Sequence, residues 1–357
     1  MRLAAIVAGW LGRRPRHRVA AAHSLRASAQ EHRRSGRTAS LHAVERPTLL
    51  AVPNVSEGRA RAALVQIAAA FAGDTEREGG EGGGVRLLDA HRDPDHHRSV
   101  FTLAGQPEAL GDALVRGASA AVERVDVVAR ASAGEELQGQ HPHVGAVDVV
   151  PIVYLRGEDR GAACAEALVV ADRIGRELGV PVFLYGELTE DGSARGRTRA
   201  ELRRGGVAGL ERRLSEPGAA LAPDFGPPAI HPSAGAALVA ARPPLVAFNL
   251  LLEPPASIIA AREIAALIRE GGAAGLPGVR AIGVLVDGAR AQVSMNVERP
   301  DEMPLADVVA AVRRLAAVSS AELVGLAPAA ALEGFPEDLP LAGFDPARHI
   351  IENALGC

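Results

Sequence analysis

The sequence predicts an α+β fold built as two βαββαβ units in tandem, and three observations carry that expectation. Apolar residues fill 48% of the 357 positions but aromatics only 3%, so any core is aliphatic, and the length allows two domains of ordinary size. Short apolar runs of strand character alternate with windows of helical spacing, and the same alternation occurs twice. Gly, Pro and Asp-Gly signals punctuate the runs.

The first unit opens with LLAVPNV, a short strand stopped at Pro53. Arg59–Phe71 follows as a helix with Leu64, Ile67 and Phe71 on one face. A Gly-rich loop (Gly79–Gly84) leads to VRLLDA, a second strand, and Arg98–Gly105 is a third, with Val100 and Thr102 alternating against Phe101 and Leu103. Pro107 lies near the first turn of the next helix, which carries Leu110, Leu114 and Ala118 on one side. VDVVPIVYL is a strand whose Pro151 cannot donate a ladder hydrogen bond, which places it at a sheet edge or a bulge. A helix over about Glu158–Leu178, ended by Gly179, and the strand VPVFLYG complete this half.

The second unit repeats the order. Pro244–Leu252 is a strand, and Ser257 caps a helix whose buried face is Ile264, Leu267 and Ile268 and whose end is Gly271-Gly272. VRAIGVLV and AQVSMNV are strands joined around Asp287-Gly288, a strong hairpin signal. A helix beginning at Pro304 and the strand AELVGLAP close the unit. This order is that of the ferredoxin-like, split-βαβ arrangement. Between the halves, Thr189–Ala222 is Arg- and Gly-rich and takes no assigned element. Pro223–Pro244 is dense in Gly and Pro yet anchored by apolar sequence, as functional loops often are.

Net charge is −4 and unevenly spread: residues 1–46 hold ten Arg against two Glu, leaving an acidic body. An acidic body argues against a nucleic-acid partner. The basic arm has no strong apolar periodicity and is expected to be a disordered, non-functional extension, with a targeting or nucleic-acid-binding arm as the alternative. Its apolar opening, LAAIVAGWLG, is far short of the roughly 20 residues that span a bilayer, so no membrane is expected. Two cysteines, Cys164 and Cys357, are too few for a disulfide framework or a thiolate metal site, and a reducing, cytoplasmic setting is the expectation.

Three stretches carry candidate chemistry. In QGQHPHVGAVDVVP, Pro142 pins the backbone beside His141, and Gly145 permits tight approach of another chain or a ligand. A histidine fixed on a rigid lip suits a general base, because its pKa lies near neutrality. Asp148 lies within an apolar strand, where a buried carboxylate needs a partner such as an imidazole. In VPNVSEGR, the residues Asn54, Ser56 and Glu57 can cap the following helix, contact a ligand, or both. In DAHRDPDHHRSVF, the acidic and imidazole side chains suit an active-site loop better than a metal site, since their spacing fits no ligand signature. Arg98 enters a strand there and is read as a fixed anion contact, with a surface salt bridge as the other reading.

Together with LVAFNLLL, AQVSMNV and LVGLAP, these stretches resemble, in order, the formiminotransferase domain of the glutamate formimidoyltransferase family over about Leu49–Pro328. The resemblance implies two ferredoxin-like subdomains, 47–241 and 242–335, with a groove between them and a C-terminal tail, 336–357. It also implies a homodimer that moves the formimino group of N-formimino-L-glutamate to tetrahydrofolate, the co-substrate, in histidine breakdown, with no metal. The first His of the family's HPxxGAxD motif, here His141, is the implied acid/base residue, with Asp148 as its orienter. Asn54, Ser56, Glu57 and Arg98 are the substrate contacts expected beside it. The implied folate-binding stretch is Gly226, Pro227, Pro228, Ala229, Ile230, His231, Pro232, Ser233, Ala234 and Gly235. Two departures stand out: animal members carry Trp at the place of Ala234 and an acidic residue at that of His91. A related folate-dependent formyl or one-carbon transferase, and a non-catalytic ferredoxin-like ligand-binding dimer, are the alternatives.

Overall fold

A computed structural model of the chain describes residues 46–73, 84–134, 142–189, 196–216 and 221–356. The basic extension up to position 45, nearly all of the Gly-rich loop before Val85, and His141 lie outside the described residues.

The first strand is broken in two, β1 (Leu49–Ala51) and β2 (Asn54–Val55), with Val52 and Pro53 between them. Both pieces lie between β4 (Arg98–Gly105) and β5 (Val147–Val153), with β3 (Arg86–Asp93) outside β4. On the other side of β5 run β7 (Ala237–Arg242) and then β6 (Val182–Leu184), both parallel to their neighbours.

Two expectations are corrected here. Pro151 lies in an interior strand rather than at a sheet edge. Its carbonyl accepts from the Val52 N–H at 3.1 Å, so the side of the residue that lacks a donor faces the break between β1 and β2, where the ladder is already interrupted. Nor does a bulge fall at Pro151: the register shift in this ladder lies between Val147 and Val149, and the pairing past Pro151 stays in register. The Gly/Pro-rich stretch Pro223–Pro244 also contains β7, which is not a loop. That strand is flanked on both sides by parallel partners and covered on both faces, so ALVAA reads as a continuous apolar run without alternation.

Helices α1 (Arg61–Ala72), α2 (Ala109–Arg124) and α4 (Arg160–Glu177) bury one face of this sheet, with the short α3 (Val127–Ser132) alongside. Leu64, Ile67 and Phe71 are the buried residues of α1, at the predicted spacing. Phe71 meets Phe101 with ring centroids 5.1 Å apart. Glu166 of α4 caps α2 from outside: its Oε1 accepts from the N–H groups of Glu108 and Gly111, each at 2.9 Å. On the opposite face, α5 (Arg199–Leu202) and α6 (Gly206–Ser215), both within the unassigned Arg/Gly-rich stretch, cover β6 and β7 through Leu202 and Leu210.

The second sheet comprises β8 (Val246–Leu252), β9 (Val279–Val286), β10 (Arg290–Val297), β11 (Val318–Val324) and the edge strand β12 (Leu341–Ala342), in the order β12-β11-β8-β10-β9. Helices α7 (Ile258–Ile268) and α8 (Leu305–Arg313) pack on one face. Ser257 Oγ accepts from the Ala260 N–H, the expected cap, whereas α7 ends before Gly271. Asp287 and Gly288 both have positive φ, as the mirror-image hairpin turn requires.

The segment Arg46–Cys357 forms one compact unit. Where the sheets meet, Leu50, Ala104 and Val153 of the first bury against Leu326 and Ile351. Ile351 begins α10 (Ile351–Leu355), which follows α9 (Pro346–His349), so the C-terminal segment wedges between the sheets. Arg86 Nη1 also donates to the carbonyl of Leu355 at 3.2 Å.

Candidate active site

The lip that precedes β5 is held from three directions. Ser56 donates its N–H to the Ala146 carbonyl at 2.9 Å and its Oγ–H to the Gly145 carbonyl at 2.7 Å. Asp148 reaches back one turn of chain, its Oδ1 accepting from the Val144 N–H at 2.8 Å. The third hold comes from the Gly/Pro-rich segment: Ala146 N–H donates to Ala234 O at 2.9 Å, and Ala236 N–H to Val144 O at 2.8 Å. The crossing is so tight that a Cβ on Gly145 would lie 1.7 Å from the Ala236 carbonyl oxygen, which is the backbone approach the sequence led us to expect there.

The expected folate stretch divides in two. His231, Pro232, Ser233, Ala234 and Gly235 lie against the lip, and His231 Nδ1 accepts from the Ala234 N–H at 3.0 Å. Gly226, Pro227, Pro228, Ala229 and Ile230 lead away from the edge of β6, exposed except for the half-buried Ile230. Ala234 is buried in the core, so here it is a packing residue and offers no open stacking position. His91 faces Glu322 of the second sheet, with Nε2–Oε1 at 3.8 Å.

Glu57 does not cap the first turn of α1, which has no side-chain cap; its Oε1 accepts from the N–H groups of Arg59 and Ala60, just ahead of the helix, at 2.6 and 2.9 Å. It also faces His97 and Arg130, each at 3.5 Å. Burial would raise its pKa, but those two N–H groups and two cations outweigh burial and hold the carboxyl below its ordinary value. Asp93 binds His96, which is buried, and is likewise held low against the upward push of burial. Asn54, beside Val55 whose side chain is in the core, turns to the opposite face of the sheet.

Asp148 is not set against an imidazole alone. Its Oδ2 forms a buried ion pair with Arg203 at the end of α5. His143, two residues after His141, stands near Asp148, Arg130, Arg203 and His97. Burial lowers its pKa, the carboxylate working against that and the cations with it, which keeps the ring neutral at pH 7. Arg98 shares the neighbourhood of Arg203, Arg199, Asp93 and Asp148. Burial and the two cations bring its pKa down to about 10, and the guanidinium stays charged. No ion pair joins Arg98 to a carboxylate among the described residues, which disfavours the surface salt-bridge reading. Among the same residues, no group of three or more His, Cys, Asp or Glu side chains could hold a metal ion.

Residues 48–242 match the family model described as the formiminotransferase domain, N-terminal subdomain. The chain belongs to the formiminotransferase family. It is similar to the glutamate formimidoyltransferase of Streptococcus pyogenes serotype M1, 36% identical over 313 residues that cover 85% of this chain and 97% of the relative. The Thermoplasma acidophilum glutamate formimidoyltransferase is 32% identical, with 82% and 93% covered. The formimidoyltransferase-cyclodeaminase of Sus scrofa is 35% identical over 79% of this chain, which spans half of that longer relative.

Within this formiminotransferase, Arg130 and Arg203 also stand near His143, Arg199 near Arg203 and Tyr185, and Tyr185 near Arg242, and the sequence alone assigned none of them a role. One signal was readable: Arg199 and Arg203 are four residues apart in RTRAELRR, a spacing that puts both on one side of a helical turn. Tyr185 and Arg242 carry no local signature and are joined only by the pairing of β6 with β7.

Proposed function

We propose that this protein transfers the formimino group from N-formimino-L-glutamate to tetrahydrofolate, in a groove between two tandem ferredoxin-like subdomains, 47–241 and 242–335, with 336–357 as a tail folded against them. The observation that carries this reading is the match to glutamate formimidoyltransferases over nearly their whole length. The strand orders support the subdomain reading. Four strands of the second sheet follow 4-1-3-2, and the first sheet has the same order with β7 and β6 added beyond its fourth strand.

In the proposed reaction the folate N5 amine attacks the formimino carbon of the donor. His141 takes the amine proton as the N–C bond forms. When the bond to the glutamate nitrogen breaks, the same imidazole returns the proton to that nitrogen, and glutamate leaves. Asp148 supports this indirectly, by fixing the Val144 N–H and so the lip, with Arg203 neutralising its charge. Ser56 and Glu57 hold the neighbouring backbone, while Asn54 and Arg98 face substrate. His231–Gly235 lies beside the same lip and serves the folate, with the exposed Gly226–Ala229 as its approach. We place the enzyme in the cytoplasm as a homodimer.

A coupled assay should show product only when both substrates are present. His141→Ala should lower kcat by about two to four powers of ten, the usual worth of a positioned acid–base group, while folate binding persists. Near-normal kcat in that variant would remove His141 from the mechanism. Transfer from N-formyl-L-glutamate but not from the formimino donor would assign the chain to a related one-carbon transferase.

A further inference from the structure

The residues that surround the lip account for only part of the positive charge in this region. Along β7, Ala237, Val239 and Ala241 point into the helix-covered core, so Leu238, Ala240 and Arg242 point to the opposite face. Tyr185, just after β6, lies on that same face beside Ala240 and Leu238. Arg242 is paired laterally with Val153, one of the residues buried against the second sheet, so this face looks across to that sheet. Arg199 belongs to α5, whose Leu202 packs on this face, and it interacts electrostatically with Arg203, Tyr185, Glu298 and Asp148. From the other side comes Glu298, just after β10, whose carboxylate is 3.3 Å from Arg280 Nε.

Three polar groups here lack a partner. Tyr185 is 7% exposed and its hydroxyl is buried without a hydrogen bond. The Nε–H of Arg242 is buried and unpaired among the described residues, while Nη1 donates to the Pro243 carbonyl at 2.9 Å. Arg203 is 8% exposed and leaves its Nε–H unused although Nη2 is bound to Asp148. Arg199 and Arg242 have no carboxylate within ion-pair distance among the described residues. An unsatisfied buried donor costs about 1–3 kcal/mol, more when charged, so several of them in one neighbourhood mark a missing acceptor. Crowding adds to this: burial above all brings the Arg242 guanidinium down to about 10, with Tyr185 acting against it, Arg199 adding a smaller downward push and Glu298 a smaller upward one.

We propose that Tyr185, Arg199 and Arg242 form a carboxylate subsite that grips the glutamate dicarboxylate of a substrate and positions its other end at the lip before Asp148. The inference rests on the reaction proposed above and names the residues that select for its substrates. A guanidinium matches a carboxylate as a planar fork, and a phenol hydroxyl adds a directed donor, so two carboxylates on a short flexible stem fit this set better than a phosphate. Arg203 and Asp148 lie between the subsite and His143, since Arg199 interacts with both of them and His143 does as well. The glutamate end and the reacting end therefore have separate anchor points. Both substrates of the proposed reaction carry a glutamate, and the experiment separates them.

The probes are p-aminobenzoyl-L-glutamate for the folate tail and N-formyl-L-glutamate for the donor, titrated by calorimetry into the full-length protein and into Tyr185→Phe and Arg242→Gln. Wild type should bind at least one probe, Tyr185→Phe should weaken it about tenfold and Arg242→Gln about a hundredfold, and the corresponding α-amide should bind as poorly as Arg242→Gln binds the acid. In turnover the KM of the same substrate should rise by similar factors, with kcat changed less. Loss confined to one probe assigns the subsite to that substrate, and loss of both assigns it to the shared glutamate. Tyr185→Phe removes a hydroxyl that has no protein partner, so its Tm should equal or exceed that of wild type. Arg313→Gln, at a surface pair with Asp338, is the control. Unchanged affinity for both probes in both variants, or a Tm fall in Tyr185→Phe, overturns the subsite. A protein that binds a probe with these variant effects yet transfers no formimino group would retain the subsite and lose the reaction.

Discussion

Gly145→Ala isolates the contact on which the candidate site is built. The glycine has no left-handed φ, so alanine meets no backbone penalty, and the whole effect comes from space. The added Cβ would sit 1.7 Å from Ala236 O, 2.8 Å from Ala236 C and 3.2 Å from Ala234 O, all backbone atoms that cannot rotate away. To reach ordinary contact the lip and the Gly/Pro-rich segment must separate by more than an ångström. Bonds of 2.8 and 2.9 Å between Ala236 and Val144 and between Ala146 and Ala234 do not survive that. The Ser56 Oγ bond to Gly145 O is strained with them. Three bonds at about 1 kcal/mol each give a loss of about 2–4 kcal/mol, read as a lower urea midpoint at unchanged m. A misplacement of that size beside the reacting groups should also cost about a hundredfold in kcat. Gly161→Ala is the control, since it lies in the first turn of α4 with nothing within 4 Å of its Cβ, and it should be neutral or stabilising by about 0.5 kcal/mol. If Gly145→Ala unfolds within about 0.5 kcal/mol of wild type and turns over normally, the close crossing does not hold the site.

Two further outcomes follow from buried charge. Asp148→Asn should cost about 3–5 kcal/mol, because it leaves Arg203 buried beside Arg98 and Arg199 without a counter-charge, and the double variant Asp148→Asn/Arg203→Met should recover a large part of that loss in chemical denaturation. Glu166 has its pKa raised by burial, against the two N–H groups of α2 that favour its charged form. Its folded pKa therefore lies above the unfolded one, so the stability it contributes is full below about pH 4.5 and is lost as pH rises through the raised value. Glu166→Gln keeps the acceptor oxygen, so its stability relative to wild type should be greatest at pH 7 and should shrink on acidification toward pH 4.5. A pH-independent difference between the two unfolding curves would contradict this.

Most regular elements could be read directly from the chain, because a helix with one buried stripe or a strand with one buried face writes its period into the sequence. Leu64, Ile67 and Phe71 behave as their spacing demands, and so do the Asp287-Gly288 turn and the Ser257 cap. β7 escaped because burial on both faces removes the alternation and the Gly/Pro-rich approach disguised what remained. α5 and α6 escaped because Arg and Gly dominate their composition, although Leu202 and Leu210 fix both to the sheet. Of the candidate site, the residues adjacent in sequence were legible: the lip, Ser56, Glu57 and Arg98. Those that reach it through sheet pairing, Tyr185 and Arg242, were not, since nothing local distinguishes a buried tyrosine after a strand from one at a surface.

The face between the two sheets is itself partly polar. Phe101 and Leu103 point into the first core, so Thr102 points to the second sheet; Ala291 and Val293 point into the second core, so Gln292 points to the first. Both Thr102 Oγ1 and Gln292 Nε2 are buried without a partner, and Asn249 Nδ2 donates to Glu322 at 2.8 Å on the same face. Apolar residues at these positions would dock the sheets more stably, as Leu50, Ala104 and Val153 do at one end. A chain selected for docking alone would extend that apolar patch over the whole face. Retained buried donors at the other positions, continuous in the first sheet with the face that carries Arg242 and Tyr185, are what a passage for a polar, carboxylate-bearing substrate requires. The stability given up there is consistent with a face kept for binding, and it places the demand for polarity on the sheets themselves as well as on the loops at their ends.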